Sequence, residues 1–297
     1  MNLAQLRAFV SVAEAGSITG AGSALRITQS AVSHALASLE TELDTRLVVR
    51  QRSGCVVTES GLQLVGHARD AVRAVERLTE EASAARGKRA GRLRVGAFPS
   101  VGQLLPPLLA QLNRSHPAVS VTLLEGGDDE VAEWLRAGIV DLAVVSSALP
   151  GLVVAPLAED EMLAVLPVDH PLANERDVRV ADLEDDPFLL STGGCEPIIK
   201  AIYARAELPL RPTRRVRDMN TLLAMVSETL GVTIVPSLAL SGARRTELVY
   251  QGVVRLPLRP RATRTLYLAS RADVTLSPAA RTLIKISHLT EESRPTA

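Results

Sequence analysis

The chain has only two cysteines, no long apolar run and no signal-peptide pattern, and each absence excludes a class of protein. Cys55 and Cys195 lie far apart in the sequence, which leaves no disulfide framework and no spacing suited to a metal ion. No apolar run approaches the roughly 18 residues of a membrane span. The N-terminus predicts an amphipathic helix where a signal peptide would have a basic segment and an apolar stretch. We therefore expect a cytoplasmic protein that holds no metal and no other cofactor.

The length and composition indicate a protein of more than one domain. The chain has 297 residues, of which 46% are hydrophobic and 22% are charged, so it is long and apolar enough for more than one core. Its patterning predicts a first unit at residues 1–60, a connector at 61–91 and a larger unit at 92–297.

The most informative segment is residues 17–40, SITGAGSALRITQSAVSHALASLE, which predicts two short helices joined by a tight turn. Ser17 is suited to cap the first helix and Thr28 the second. Apolar residues of the second helix recur at helical spacing and form an inward stripe, namely Val32, Leu36, Leu39 and Leu43. Short polar side chains lie outside this stripe, as the reading of base edges in a major groove requires. The candidate base-reading residues are Thr28, Gln29, Ser30, Ser33 and His34. The alternative is a small helical subdomain with solvated caps.

A hairpin pattern follows the second helix. Two short β-prone runs, Leu47 to Val49 and Cys55 to Val57, flank a Ser53-Gly54 turn, which predicts a wing. Arg50 and Arg52 are candidates to hold DNA phosphates from this wing. Because residues 1–60 carry five arginines and five acidic residues, binding of DNA requires the cations to be concentrated at the wing.

Four segments of this first unit carry a family resemblance. They are LAQLRAFVSVAEAGS in the first helix, TQSAVSHALASLE from Thr28, RLVVR from Arg46 and TESG from Thr58. In order and spacing they resemble the LysR-type transcriptional regulators. The resemblance implies a regulator that binds a double-stranded DNA operator as a homodimer or homotetramer and responds to a small-molecule effector. The sequence departs from the family pattern at Asp44, where glycine is common, Val48, where phenylalanine is common, and Ala35, where a polar residue often reaches the DNA.

The connector has the spacing of a coiled-coil seam. Steps of three and four residues separate its members, Val65, Ala68, Val72, Val75, Thr79 and Ala82. A dimerisation helix is therefore predicted over residues 60–85, although a helix packed within its own chain is the alternative. The segment RGKRAG at residues 86–91 is interpreted as a hinge.

Strand and helix patterns alternate from Arg92 onward. Residues 93–146 predict a βαβαβ unit with a parallel sheet. Two β-prone runs, residues 152–157 and 162–167, precede a second α/β unit that extends to about residue 264. The resemblance implies a two-lobed fold like that of type II periplasmic binding proteins. Lobe 1 then comprises about 92–161 and 265–297, and lobe 2 about 162–264. The predicted fold is thus an all-α winged helix-turn-helix, a long linker helix and a two-lobed α/β domain.

The cleft between these lobes is the predicted effector site. Phe98-Pro99-Ser100-Val101 and Ser191-Thr192-Gly193-Gly194 each follow a strand and precede a helix, where backbone N–H groups and hydroxyls favour an anion such as a carboxylate. Neither segment contains arginine or lysine, which favours a monoanion with an apolar body. The candidate effector-binding residues are Ser100, Val101, Thr192, Gly193, Gly194, Ser146 and Asn220. The alternative is that the serines and threonine are ordinary helix caps.

Two other classes of protein fit the sequence less well. Cys195 and the histidines His67, His116, His170 and His288 supply the residue types of a Cys/His hydrolase, but no Walker loop, GxSxG or HExxH motif accompanies them. A redox sensor needs a resolving cysteine in the same lobe, and the sequence has none. A transport binding protein shares the two-lobed fold but should carry a signal peptide and lack the N-terminal unit. We therefore predict no enzymatic activity and no catalytic residue.

Overall fold

The computed structural model describes residues 1–51, 54–86, 90–102, 104–240 and 252–292. The chain forms two compact units, Met1–Lys88 and Arg89–Ala297. Arg52 and Ser53 of the predicted wing, and residues 87–89 of the predicted hinge, lie outside the described residues. No helix among the described residues is both long and apolar enough to span a membrane.

The N-terminal unit is a helical fold with one hairpin. Its elements are α1 (Leu3–Ala15), α2 (Ile18–Leu25), α3 (Gln29–Glu42), β1 (Val48–Gln51), β2 (Gly54–Val57) and α4 (Glu59–Ala85). Side-chain caps start α2 and α3 as predicted, because Ser17 Oγ accepts from the N–H of Gly20 at 3.0 Å and Thr28 Oγ1 from that of Ala31 at 3.2 Å. The predicted winged helix-turn-helix is confirmed.

Two backbone positions explain the turn sequences of this unit. Gly61 lies so close to the wing that a Cβ there would be 2.3 Å from the carbonyl oxygen of Leu47, so no larger residue fits. Asp44, at the position where the resemblance expects glycine, has φ of 47°. This left-handed conformation has little cost for glycine and is tolerated by aspartate, which accounts for the departure.

The C-terminal unit contains the predicted alternation of strands and helices. Its first part comprises β3 (Ala90–Ala97), a 3₁₀ turn (Pro99–Val101), α5 (Leu105–Ser115), β4 (Ala118–Glu125), α6 (Asp128–Arg136), β5 (Leu142–Val145) and β6 (Leu152–Pro167). The next part comprises β7 (Phe188–Ser191), α7 (Glu196–Arg205), β8 (Pro212–Val216), α8 (Met219–Ser227), β9 (Thr233–Pro236) and α9 (Ser237–Leu240). The last elements are β10 (Val253–Pro257), β11 (Thr263–Arg271) and α10 (Pro278–Glu292).

Three boundaries differ from those predicted. Strand β3 begins at Ala90, inside the segment that was interpreted as a hinge. The helix predicted from Val101 begins at Leu105 and is preceded by the 3₁₀ turn, because prolines disfavour helical backbone in the residue before them and fit the first helical turn. The two runs predicted at 152–157 and 162–167 form one continuous strand of 16 residues, β6.

Strand β6 joins the two lobes. Leu152 to Glu161 pairs with β11, whereas Met162 to Pro167 pairs with β9 on one side and β10 on the other. The segment between the two predicted runs is acidic, and its Asp160 is buried and hydrogen-bonded inside the unit. Helix α10 returns to the first lobe, where Leu283 packs in the same core as Leu93 and Leu105. The predicted two-lobed α/β fold is confirmed.

Candidate DNA interface and effector cleft

Helix α3 separates an apolar face from a polar one. Val32, Leu36 and Leu39 are buried in the core of the N-terminal unit, whereas Leu43 is exposed at the end of the helix. Among the predicted reading residues, Ser33 is half-buried, and the exposed ones are Thr28, Gln29, Ser30 and His34. The arrangement presents a polar surface along the first turns of α3.

The wing reaches this surface through Arg50. Nη2 of Arg50 donates to Oγ of Ser33 at 3.1 Å, so a predicted phosphate-binding residue and a predicted base-reading residue are in direct contact. Arg52, the second predicted wing cation, lies outside the described residues.

Glu40, which was not among the predicted site residues, holds the start of the wing in place. Its Oε1 accepts from the N–H of Leu47 at 2.8 Å and of Val48 at 3.1 Å, and its Oε2 accepts from Arg46 at 3.2 Å. Because Glu40 is buried, these charge-assisted bonds anchor β1 against α3.

The two halves of the predicted seam on helix α4 have different surroundings. Ala68 packs in the core of the N-terminal unit, and Arg69 bonds Glu14 of α1 at 3.3 Å, so this half of the helix contacts its own chain. Farther along, Val75 of the seam is 39% exposed, and Leu78, an apolar residue that widens the seam, is 70% exposed. The seam is therefore available to a partner only in its second half.

In the C-terminal unit, Ser100 belongs to a buried polar network. Its Oγ accepts from Nη2 of Arg264 at 2.9 Å. Arg264 also donates from Nε and Nη2 to Oδ2 of Asp160, at 3.0 and 2.8 Å, and stacks over the ring of Phe98 with its central carbon 5.2 Å from the ring centroid. Arg264 is 5% exposed and Asp160 1%, so both charges depend on each other for compensation.

The same network fixes the short helix that follows β9. Oδ1 of Asp160 accepts from the hydroxyl of Ser237 at 2.9 Å and from the N–H of Leu238 at 3.0 Å. Val101, which was predicted as an effector contact, is instead buried in the hydrophobic core of lobe 1, so its side chain is committed to packing.

A cavity of about 390 Å³ lies between the end of β5, helix α7 and the start of β11. Its polar or charged lining residues are Ser146, Ser147, Arg205, Thr263, Arg264, Thr265 and Tyr267, and its apolar ones are Ala148, Ile198, Ala201, Ile202 and Ala262. None of these lining residues is acidic. Of the seven predicted effector residues, the cavity includes Ser146 and leaves out Ser100, Val101, Thr192, Gly193, Gly194 and Asn220.

The Thr192–Gly194 loop of lobe 2 faces the start of α6 in lobe 1. A Cβ on Gly194, whose φ is +104°, would lie 3.7 Å from the backbone nitrogen of Asp128. The Asp128 carboxylate accepts from both the N–H and the hydroxyl of Ser146. Burial raises the pKa of Asp128, while the bonds from Ser146 oppose the rise. A carboxylate thus already uses the donors of Ser146 here.

Asn220 and Cys195 are not among the residues that line the cavity. Asn220 is exposed at the start of α8 and does not line the cavity. Cys195 is fully buried, and burial raises the pKa of its thiol despite the opposing effects of Arg264 and the Ser191 hydroxyl. Within the described part of the chain, no group of three or more His, Cys, Asp or Glu side chains is arranged for a metal ion.

Comparison with protein families assigns both units. Residues 3–62 match the family model for the bacterial regulatory helix-turn-helix protein, lysR family, and residues 86–289 match that for the LysR substrate binding domain. The chain belongs to the LysR family. This LysR-type protein is therefore a DNA-binding transcriptional regulator with an effector-binding domain, and the expectation that it is not an enzyme is confirmed.

Individual relatives agree with the assignment. The LysR-type chain is 32% identical over 289 residues to the uncharacterized HTH-type transcriptional regulator YvbU of Bacillus subtilis, covering 97% of this chain and 98% of the relative. It is 33% identical over 248 residues to a probable hydrogen peroxide-inducible genes activator of Mycobacterium avium, covering 80% and 78%. The structure of a full-length OxyR variant from Pseudomonas aeruginosa matches with a TM-score of 0.79 at 24% identity, covering 97% and 98%, which supports the fold.

Proposed function

We propose that this LysR-type regulator reads a double-stranded DNA operator with α3 and its wing, and that a small organic carboxylate in the cavity between α7 and β11 controls it. The DNA contacts would come from Thr28, Gln29, Ser30, Ser33, His34, Arg50 and Arg52. The observation that carries the effector part is a cavity that contains two arginines and no acidic lining residue.

The two arginines differ in how much charge they offer. Arg264 is compensated by Asp160, although its Nη1 makes no hydrogen bond to a described residue and remains a donor. Arg205 is exposed at the end of α7 and forms no ion pair within the described chain. Among the lining residues, Arg205 therefore supplies a positive charge without a counter-ion, which favours a carboxylate.

Positive charge near Ser100 was not evident from the neighbouring sequence, because Arg264 comes from a distant strand. The structure therefore supports an anion held by arginine over one held by N–H groups and hydroxyls alone. The Thr192–Gly194 loop contains no arginine or lysine and none of its residues lines the cavity. Ser100 would act by orienting Arg264.

The rest of the lining sets the character of the effector body. Ile198, Ala201 and Ile202 form an apolar wall on α7, and Tyr267 lies on β11. A volume of about 390 Å³ is in the range of small-molecule sites. These features favour an amphiphilic carboxylate with a compact apolar or aromatic body.

Control of DNA binding would follow from the position of this cavity between the lobes. An effector that contacts α7 of lobe 2 and β5 of lobe 1 stabilises one relative arrangement of the lobes and so shifts an existing equilibrium. We further propose that the protein acts as a homodimer or homotetramer through α4, and that it acts in the cytoplasm, where its operator is.

A thermal-shift screen of small carboxylates on the full-length protein tests the effector proposal. We expect hits among monocarboxylates with apolar bodies, and about a tenfold weaker apparent affinity for Arg205→Ala, because one charge-assisted contact is lost. Arg211→Ala is the matched control, since this arginine is exposed in the same lobe and lies outside the cavity.

Two outcomes decide the location of the site. Hits that stabilise the parent and Arg205→Ala equally would contradict the cavity, and a selective loss in Thr192→Ala would place the anion at the Thr192–Gly194 loop. Equal losses in Arg205→Ala and Arg211→Ala would show only a general effect of charge.

Hydrogen peroxide appears in the names of several relatives. The response of Cys195 to peroxide distinguishes a peroxide sensor from a regulator that binds a carboxylate. Because burial raises the pKa of this thiol and the thiolate is the reactive form, we expect stoichiometric peroxide to leave operator binding unchanged. Cys195→Ser should bind the carboxylate hits as the parent does. Intact-mass detection of one added oxygen on the parent, absent in Cys195→Ser and accompanied by altered operator binding, would establish the peroxide alternative.

A further inference from the structure

The hydrogen bond between Arg50 and Ser33 bears on which base the recognition helix reads. The two residues are 17 positions apart, yet Nη2 of Arg50 lies 3.1 Å from Oγ of Ser33. Ser33 is on the second turn of α3, and Arg50 is on β1, where it pairs with Cys55 of β2. A side chain of the wing therefore lies on the polar face of α3.

The backbone that leads to Arg50 is held against helix α3, which carries Ser33. Glu40 of α3 holds the N–H groups of Leu47 and Val48, so the chain leading to Arg50 is anchored to the helix that carries Ser33. At the same end of β1, Thr58 Oγ1 donates to the carbonyl oxygen of Arg46 at 2.7 Å. Because the anchors lie within a few residues of Arg50, the reach of its side chain to Ser33 follows from the fold.

Donor and acceptor roles in this contact are determined by the chemistry of arginine. A guanidinium has only donors, whereas a hydroxyl has one donor and two acceptor positions, so Ser33 must accept from Arg50 and keeps its own proton for another partner. That proton is not used inside α3 in the described structure: Thr41 donates to the carbonyl oxygen of Ala37, but Ser33 has no such bond. The contact therefore leaves several N–H donors of Arg50, the hydroxyl proton of Ser33 and one acceptor position of Ser33 for DNA.

We infer that Ser33 and Arg50 act together as one donor-rich reading unit, with N–H groups from Arg50 and a hydroxyl proton from Ser33, that selects guanine in the operator; this rests on the proposed placement of α3 in a major groove. Guanine presents two acceptors there, N7 and O6, whereas cytosine presents a donor and adenine an acceptor beside a donor. Arg50 is thereby a specificity-determining residue as well as a cation near the phosphates.

Replacement of guanine by 7-deazaguanine, which lacks the N7 acceptor, tests the unit. The probe is a duplex selected from a random library by the full-length protein, with each guanine of one half-site replaced in turn. We expect one position to lose about tenfold in affinity with the parent, the effect of one specific contact. Ser33→Ala should lose about tenfold on the unmodified duplex and show no further loss at that position.

Variants of Arg50 separate the reading role from a phosphate contact. Arg50→Lys keeps the charge but not the fork of donors, so its affinity for a random duplex should stay within about twofold while its selectivity falls to that of Ser33→Ala. The double variant Ser33→Ala/Arg50→Lys should be no worse than either single variant. Arg7→Ala is the control, because Arg7 is an exposed arginine on α1 that takes no part in these contacts, and it should leave the 7-deazaguanine effect intact.

The outcomes distinguish this inference from the proposed function. Additive losses in the double variant, or tolerance of 7-deazaguanine at every position, would show that Ser33 and Arg50 are not a reading unit, while base reading by α3 would stand. If Ser33→Ala, Arg50→Lys and Gln29→Ala all discriminate selected from random duplexes as the parent does, both the reading unit and the proposed placement of α3 in the major groove are wrong.

Discussion

Val75→Glu/Leu78→Glu is expected to abolish both dimerisation and operator binding while the N-terminal unit stays folded. The two side chains are exposed in the single chain and lie on the second half of α4, so charge there is tolerated in a monomer. In a dimer with this seam, each partner would bury like charges without compensation, at a cost of at least about 3 kcal/mol, or more than a hundredfold in affinity. Operator binding should fail as well, because one recognition helix contacts only a few base pairs.

Sedimentation and operator binding at matched protein concentrations measure this effect. Gln63→Glu adds a negative charge to an exposed position of the same helix and should change neither property. Val72 is unsuitable for the test although it belongs to the predicted seam, because it is buried within the single chain and a charge there would destabilise the fold. A double variant that sediments as the parent and binds its operator would show that α4 is not the dimer interface.

The N-terminal unit was predictable from the sequence because its signals are local. Ser17 and Thr28 cap helices within three residues of themselves, and the stripe of α3 follows from helical spacing alone. The contact between Arg50 and Ser33 was not predictable, since it depends on how Glu40 places the wing. The seam of α4 was predicted as uniform because periodicity does not show which part of an apolar stripe faces its own chain.

The effector cavity was harder to predict because its residues come from three distant segments. Ser146 follows a strand end and was found in that way, but Arg205 lies at the end of a helix and Arg264 in a segment with several arginines. Asp160 lies between the two runs that were predicted at residues 152–157 and 162–167. Asp160 occurs inside one strand because Arg264 on the adjacent strand compensates its charge, and such long-range pairing has no signature in a single sequence.

Arg264→Met is expected to destabilise the C-terminal unit by about 3–5 kcal/mol, because it leaves the carboxylate of Asp160 buried without its cation. Urea unfolding followed by circular dichroism measures the loss. Arg264→Met/Asp160→Asn should recover most of it, since asparagine removes the charge and its oxygen still accepts from Ser237 and the N–H of Leu238. Arg205→Ala, at an exposed position, should change the free energy of unfolding by less than about 0.5 kcal/mol.

The double variant also separates stability from effector recognition. Arg264→Met/Asp160→Asn buries no charge without a counter-ion at this position, but it lacks the guanidinium that lines the cavity. Carboxylates that stabilise the parent should therefore no longer raise the melting temperature of this variant. If Arg264→Met unfolds at the same urea concentration as the parent, Asp160 does not depend on Arg264. If instead the double variant is stable and still responds to the carboxylates, Arg264 has a structural role only, and Arg205 is left as the cation that binds the effector.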